Sequence, residues 1–472
     1  MNTAAVILFF ACFEAGLASA AQPLDKTYHD AAGKIIDAAL EDTAGYENLS
    51  YLCDRIGNRL SGSPALDRAI QWAAAQMNRD GLENVVTLPV KVPHWVRGRE
   101  SASIVEPVQK PLHMLGLGGS VGTPAQGITA EVVVASSFAD LESRGPTAVA
   151  GKIVLYNAPF VNYFETVQYR TRGASRAAKL GAVAALVRSV TPLSLQSPHT
   201  GVMDYAKDAP KIPTAAVSVE DSMLIRRLVD AGNRVVIHVT MEAQMLRDAD
   251  SADVIGEIPG SEKPEELVVM GGHIDSWDVG QGAQDDGSGC VVALEAAALI
   301  RKLGLKPRRT IRVVFWTNEE NGLAGASAYR AWIGSKLLNH AAAIEMDGGA
   351  EKPTGFGLAG LPHGGGGSAT ELPLSRLREI GKLLDSIGAG DIRTGGGGAD
   401  IEPLTREGVL SLALHTVGTH YFDWHHSDAD TIDKIKPEDF RLNIAAMAVM
   451  SYVLADMPDR LPGPAGDSTA GR

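Results

Sequence analysis

From about residue 249 onward the chain repeats one unit: a short apolar run, a turn, then a helical pattern. The runs are Leu267–Met270, Thr310–Trp316, Ala342–Met346 and Val409–Leu414. The helical patterns fall at about 288–303, 324–339, 373–388 and 437–455. Strands that alternate with helices pair in parallel, because each crossover helix returns the chain to the same end of the sheet. This spacing predicts an α/β fold with a mostly parallel sheet flanked by helices. Such sheets gather their chemistry at the carboxyl ends of the strands.

The chain has 472 residues, more than one ordinary core holds, so two domains are expected. Helical patterns at about 31–57 and 64–80 come first, then a strand at Val85–Val92 whose Pro89 marks a sheet edge. Over 99–248 the character changes to short β-rich runs: Glu131–Ala135, Lys152–Tyr156, Pro213–Ser218 and Val235–Val239. One helical segment, Ala174–Leu180, leads there into a strand at Ala182–Val187. No His and carboxylate pair up at strand ends in this block, so it reads as an inserted accessory domain. The expected division is a leader at 1–20, an N-terminal part of the main domain at 21–98, the insert at 99–248, the main domain at 249–458 and a tail at 459–472. The leader rests on the apolar run from Ala4 to Phe13 followed by Ala18-Ser19-Ala20, a small-x-small cleavage pattern. It implies a secreted or periplasmic protein. A lipidated Cys12 is disfavoured, because Phe9-Phe10-Ala11 lacks the small residues that pattern needs. No later segment is apolar and long enough to span a bilayer. A net charge of −13 argues against nucleic acid or an anionic membrane as partner. Cys53 and Cys290, the two cysteines beyond the leader, either pair or stay buried as free thiols.

Candidate metal ligands sit in four regions. His273 and Asp285 follow the first run, and Glu319-Glu320 follow the second. Asp347 follows the third, and His425-His426 lie in the loop after the fourth. Each signal alone has a bland reading: an Asp-Asp before Gly is usually a turn, and a Glu-Glu pair is usually a solvated face. Together in one domain they point to a metal. Imidazole and carboxylate without thiolate suit zinc in a hydrolytic site, with Mn or Co as alternatives. A single zinc needs three protein ligands and an open position, whereas two His and three carboxylates suffice for two ions sharing a carboxylate. Asp285 is the best candidate for the shared one. Successive side chains of an extended segment point opposite ways, so one of Glu319 and Glu320 can ligate while the other acts as general base. Asp275, two residues past His273, is placed to orient that imidazole.

These motifs resemble those of the co-catalytic zinc exopeptidases, which include bacterial leucyl aminopeptidases and membrane glutamate carboxypeptidase. The matching segments are Asp275-Ser-Trp-Asp-Val-Gly-Gln-Gly-Ala-Gln-Asp-Asp286, Trp316-Thr-Asn-Glu-Glu320 and His425-His-Ser…Asp430-Thr431, with Ser197-Pro-His-Thr-Gly201 and Lys211-Ile-Pro-Thr214 in the middle block. The resemblance implies that His273 and Asp347 hold one zinc, Glu320 and His426 the other, and Asp285 bridges. It implies Glu319 as general base, Asp275 as support for His273, a cis bond between Asp285 and Asp286, a protease-associated domain as the insert, and a homodimer. His426 is preferred to His425 as ligand by its spacing to Asp430-Thr431. His425 stands where the family often has a Tyr that supports the oxyanion. Asp400 stands where relatives contact substrate, with turn capping as its alternative role.

The expected function is a zinc-dependent exopeptidase hydrolysing unblocked dipeptides or short peptides, through a metal-bridged hydroxide with Glu319 as base. The choice of dipeptidase over general metalloaminopeptidase rests on the resemblance. A glutaminyl cyclase-like acyltransferase using one zinc is a rival on the same fold. A non-catalytic binding protein is a second rival, disfavoured because all five ligands and the base remain.

Overall fold

The computed structural model describes residues 22–359 and 368–462. The leader expected at 1–20, the glycine run 364–367 and most of the expected tail lie outside the described residues.

Eight strands form the main sheet: β1 (Glu83–Val92), β2 (Ala249–Ile258), β3 (Lys263–His273), β4 (Arg309–Trp316), β5 (His340–Glu345), β6 (Pro353–Leu358), β7 (Asp391–Thr394) and β8 (Ser411–Thr416). Their order is β1-β2-β4-β3-β5-β8-β6-β7. The central four, β4-β3-β5-β8, are parallel neighbours, as the repeated unit predicts. Antiparallel pairs flank them on both sides, β1 with β2, β2 with β4, and β6 with β8. Proline cannot donate to a ladder, and Pro89 accordingly lies in β1, the edge strand. Along β3, Val268 and Met270 join one core while Leu267 and Val269 join a second on the opposite face. The helices Ser288–Lys302 and Pro437–Asp456 cover the first face and are apolar almost all round, as a helix between sheet and further helices must be. The first of these helices packs hard against the sheet: a Cβ on Gly289 would lie 1.9 Å from the Met346 carbonyl oxygen.

Three expected elements differ in extent. β3 runs on through His273, so that residue ends the strand instead of lying on the turn after it. The pattern at 324–339 is an α-helix only over Ala324–Ile333, followed by a 3₁₀ turn, Gly334–Asn339. The pattern at 31–57 is broken into His29–Leu40, Ala44–Ser50 and a wide turn, Tyr51–Ile56.

A second eight-stranded sheet is built from residues 100–241. Ile128–Ala135, Ile153–Tyr156, Ala184–Arg188 and Thr214–Val217 are its parallel neighbours. The chain leaves the main sheet after Val92 and returns at Ala249, and Trp95–Val96 pairs with Gln244–Met245 where the two crossings meet. This block holds three twelve-residue helices, Phe138–Val149, Gln168–Lys179 and Val219–Asp230, in place of the single helical segment expected. Gln168–Lys179 extends the expected segment toward the N-terminus, and the other two are additional. In Gln168–Lys179 the buried face includes Gly173, Ala174, Ser175, Ala177 and Ala178, which gives no period of large apolar residues. Cys53 and Cys290 are both buried and unpaired. No helix among the described residues is long and apolar enough to cross a membrane.

Candidate metal centre

The four central strands point the same way, so His273 and the loops after β4, β5 and β8 open at one edge of the sheet. There the structure brings together all five expected ligands. His273 Nε2 lies 3.1 Å from Asp285 Oδ1 and 3.5 Å from Asp347 Oδ1. His426 Nε2 lies 3.1 Å from Asp285 Oδ2 and 3.0 Å from Glu320 Oε2. Two compact donor groups result, His273–Asp285–Asp347 and Asp285–Glu320–His426, joined by Asp285.

The turn that carries Asp285 is fixed by a carboxylate from elsewhere in the chain. Asp430 Oδ1 accepts from the backbone N–H groups of Ala283 at 3.1 Å and Gln284 at 2.7 Å, and Oδ2 accepts from Asp285 N at 3.3 Å. Asp286 accepts from His273 N at 3.1 Å and Gly289 N at 2.9 Å, tying strand, turn and helix together. The Asp285–Asp286 peptide bond is cis. Arg59, fully buried, donates to the carbonyls of Gly57, Ile274, Gln281 and Gly282, so one guanidinium holds both ends of the loop between His273 and Asp285.

Asp275 acts differently from the expectation. It is the backbone carbonyl of Asp275 that lies 3.1 Å from His273 Nδ1, while its carboxylate stands 3.8 Å away. A proton on Nδ1 leaves the Nε2 lone pair facing Asp285 and Asp347. The Asp275 carboxylate accepts instead from Glu319 N at 3.0 Å and Glu320 N at 3.3 Å, and so sets the turn that splits the two glutamates.

Glu320 Oε1 and Asp347 Oδ1 are buried without a hydrogen-bond partner. Buried carboxylates in such numbers demand positive charge. In this cluster the imidazoles answer the demand: burial opposes charge on His273, yet Asp285 and Asp347 push its pKa well above the ordinary value. His426 is likewise opposed by burial and raised by Glu320 and Asp285. The donor set and the stranded oxygens therefore fit divalent cations held by nitrogen and oxygen. Glu319 lies beside them with its pKa well above the usual carboxylate range, first through burial, then through Asp347, Glu320 and Asp285, with His273 opposing.

The cluster lines a cavity of about 600 Å³, and the insert supplies part of the wall through Tyr163, Phe164, Arg170 and Val202. His425 also lines it; the His425 ring stacks on His426 at 4.2 Å between centroids, with both nitrogens unpartnered. Burial, then the neighbouring His426, holds the His425 pKa well below its ordinary value. Asp400 does not line the cavity. It is buried beside Glu345 and Glu319 with both oxygens unpartnered, and the backbone N–H groups of Asp400 and Ile401 donate to the Glu345 carboxylate. A larger cavity of about 900 Å³ on the insert, bordered by Arg172, Arg176, Lys179 and Lys207, contains none of the cluster.

The insert brings further residues to this cavity. Arg170 is 4% exposed and has no acidic partner among the described residues; its Nη2 donates to Tyr163 Oη at 2.8 Å, and its Nη1 donates to the Thr200 carbonyl at 3.2 Å and lies 3.4 Å from His426 Nδ1. Thr200 N donates to the His426 carbonyl at 2.8 Å. The one signal at sequence level was Ser197-Pro-His-Thr-Gly201, a motif match inside a block that otherwise looked accessory.

Paired donor groups with a flanking glutamate, at the carboxyl edge of a parallel sheet and roofed by an insert, define a metal-dependent peptidase of the exopeptidase class. The chain belongs to peptidase family M28, whose pattern matches residues 253–451, and a PA domain matches residues 128–225. It is 46% identical to carboxypeptidase Q of Xenopus laevis over 439 residues, covering 92% of each chain. It is 44% identical to carboxypeptidase Q of Homo sapiens, covering 92% of this chain and 90% of that one. Among solved structures, a peptidase M28 precursor from Shewanella amazonensis superposes with a TM-score of 0.87 at 34% identity, covering 93% of this chain and 99% of that one. The zinc aminopeptidase BSAP of Bacillus subtilis shares the fold, with a TM-score of 0.64 at 20% identity over 90% of this chain and 97% of that one.

Proposed function

We propose that this zinc-dependent exopeptidase holds two zinc ions and hydrolyses unblocked dipeptides. The observation that carries the reading is Asp285, whose two oxygens each lie 3.1 Å from a different imidazole Nε2, so that one carboxylate serves two cation positions. His273 and Asp347 complete one position, and Glu320 and His426 the other. When bound, zinc supplies an acidified water and polarises the scissile carbonyl. Glu319, on the cavity wall beside the donors, takes the proton of the attacking water and returns it to the departing amine. His425, neutral and unpartnered on the cavity wall, donates to the carbonyl oxygen as charge develops there. Arg170 receives the substrate's free carboxylate, because its guanidinium borders the cavity as a cation with no acidic partner among the described residues. Asp400, which does not line the cavity, is given no substrate contact.

The test is hydrolysis, with zinc present, of a free dipeptide, its N-acetyl form, its C-terminal amide and a tripeptide. Cleavage of the free dipeptide alone supports the reading. Cleavage of the amide and tripeptide from the amino end would make the protein a general aminopeptidase. No cleavage by protein carrying two zincs would favour an acyltransferase or a binding protein. The reading also takes the protein as a secreted or periplasmic homodimer divided near 98/99 and 248/249, to be checked by fractionation, sedimentation and limited proteolysis.

A further inference from the structure

Three features tie the insert to the His426 side of the cluster. First, Thr200 grips His426 from both sides of its backbone: Thr200 N donates to the His426 carbonyl at 2.8 Å, and the Thr200 carbonyl lies 3.4 Å from His426 Nδ1. That contact, with Arg170 Nη1 also 3.4 Å from Nδ1, holds the ring so that Nε2 faces Asp285 and Glu320. His426 also has φ of 59°, a left-handed conformation that a non-glycine residue keeps only where its surroundings impose it. Second, Trp277 belongs by sequence to the loop between His273 and Asp285, but its ring, 2% exposed, is part of the insert's hydrophobic core. A Cβ on Gly118 of the insert would lie 2.0 Å from that ring, and the ring centroid is 5.6 Å from that of His426. Third, Thr191 Oγ1 of the insert donates to the Phe422 carbonyl at 2.7 Å, so the insert holds the loop that leads to His426, and Arg97, where the chain crosses toward the insert, pairs with Asp278.

At the other cation position His273 and Asp347 make no direct bond to the insert, which reaches them only through the Trp277 loop. His273 is held by Asp286 and by the Asp275 carbonyl, and the residue before Asp347 by a bond from Met346 N to the Gly271 carbonyl at 3.2 Å. All of these belong to the main domain.

We propose that the insert is a structural half of one cation position. Thr200 and Trp277 are positioning residues for His426, so the Glu320–Asp285–His426 position binds zinc tightly only when the insert is docked, whereas the His273–Asp285–Asp347 position does not depend on it. The inference rests on the two-zinc reading above.

Zinc content and affinity separate the two claims. Wild-type protein is expected to retain two zincs per chain after dialysis; if it retains one, the two-zinc reading fails and this inference falls with it. Thr200→Pro removes the N–H that His426 needs and is expected to retain one zinc, with circular dichroism unchanged. Two zincs at wild-type affinity in that variant, or the loss of both, would overturn the inference. Should Thr200→Pro not fold, Thr200→Val loosens the loop more gently by deleting the Oγ1 bond to the Gly116 carbonyl, 2.7 Å long. The weaker zinc is then expected to bind at least tenfold less tightly in competition with a chromogenic chelator, and an unchanged affinity overturns the inference. A double-mutant cycle identifies the position. Thr200→Val should have no further effect in a His426→Ala background and should still weaken zinc in a His273→Ala background; the reverse pattern also overturns it. Lys179→Ala, on the outer face of the insert, is the control and should match wild type.

Discussion

Glu319 and Glu320 are adjacent in sequence and differ in what they can reach. Glu320 Oε2 is 3.0 Å from His426 Nε2, while Glu319 lines the cavity and is held by no imidazole. Glu319→Gln keeps shape and removes the titrating group. It is expected to leave zinc content and melting temperature unchanged and to lower kcat by roughly a hundred- to ten-thousandfold. Single-turnover rates on metal-replete protein check this, and near-normal turnover would remove Glu319 from the base role. Arg170 calls for a different readout. Charge-assisted bonds are worth about 1.5–3 kcal/mol, so Arg170→Met should raise KM for a free dipeptide roughly ten- to a hundredfold. Any loss through its contacts to Thr200 and His426 falls on acid and C-terminal amide alike, so the ratio of kcat/KM for acid over amide collapses; a preserved ratio would mean another group reads the carboxylate. The two residues also mark what the sequence made legible. His273, Glu319, Glu320 and Asp347 lie at or just past strand ends and Asp285 and His426 in the loops that follow, and a strand-turn-helix repeat places such residues at one edge before any contact is known. Arg170 and Thr200 reach the same cavity only through the packing of a second sheet, for which no local pattern exists. The Asp275 carboxylate was placed on His273 because sequence distance is blind to a backbone carbonyl that does the same work.

The loop from Ile274 to Gly282 has no regular structure, and its main-chain polar groups must be satisfied by other means. Arg59 does most of this for the carbonyls, with 2.8 Å to Ile274, 2.7 Å to Gln281 and 2.9 Å to Gly282. Arg59→Met retains bulk but strands these acceptors, at about 1–3 kcal/mol each. The variant is expected to unfold several kcal/mol earlier in urea and to lose zinc, since the loop joins His273 to Asp285. A stability equal to wild type would show that water replaces the guanidinium at no cost. Nothing in the sequence around Arg59 announces this, because an arginine that bonds only carbonyls has no acidic partner to look for. The elements themselves were more legible. Ser288–Lys302 and Pro437–Asp456 were found nearly to the residue because their apolar runs are long. In the insert, Gln168–Lys179 shows only in part because alanine, glycine and serine line its buried face, while Phe138–Val149 is broken at Gly145-Pro146 and Val219–Asp230 buries only Val219, Asp221, Ser222 and Ile225.

At the scale of the whole molecule, stability must respond to pH through groups far from the metals. Glu295 is the clearest. It sits in the helix Ser288–Lys302, 3% exposed, with Asn48 Nδ2 donating to it at 2.6 Å. Burial pushes its pKa up to about 7 from an ordinary 4.5; Asp42 and Asp80 add to the rise, while the Asn48 bond and Lys302 oppose it. Below pH 4.5 the carboxyl is protonated in both folded and unfolded chains, and the native state carries no penalty. Between 4.5 and 7 the unfolded chain releases its proton while the folded protein keeps it, so the folded state binds more protons and stability falls as pH rises. Above 7 both are ionised, and the native state holds a buried charge with no cation in contact. A shift from 4.5 to about 7 corresponds at most to about 3 kcal/mol. Glu295→Gln preserves an acceptor for Asn48 and cannot ionise. It is therefore expected to match wild type near pH 4.5 and to exceed it by about 1–3 kcal/mol at pH 8. Zinc affinity also changes with pH, but it does so equally in both proteins and cancels in the difference. Urea unfolding of the pair at pH 4.5 and 8 with zinc held constant checks this. A gap of the same size at both values would assign the effect to packing, and a wild type more stable at pH 8 would mean that ionised Glu295 finds a partner in the folded state.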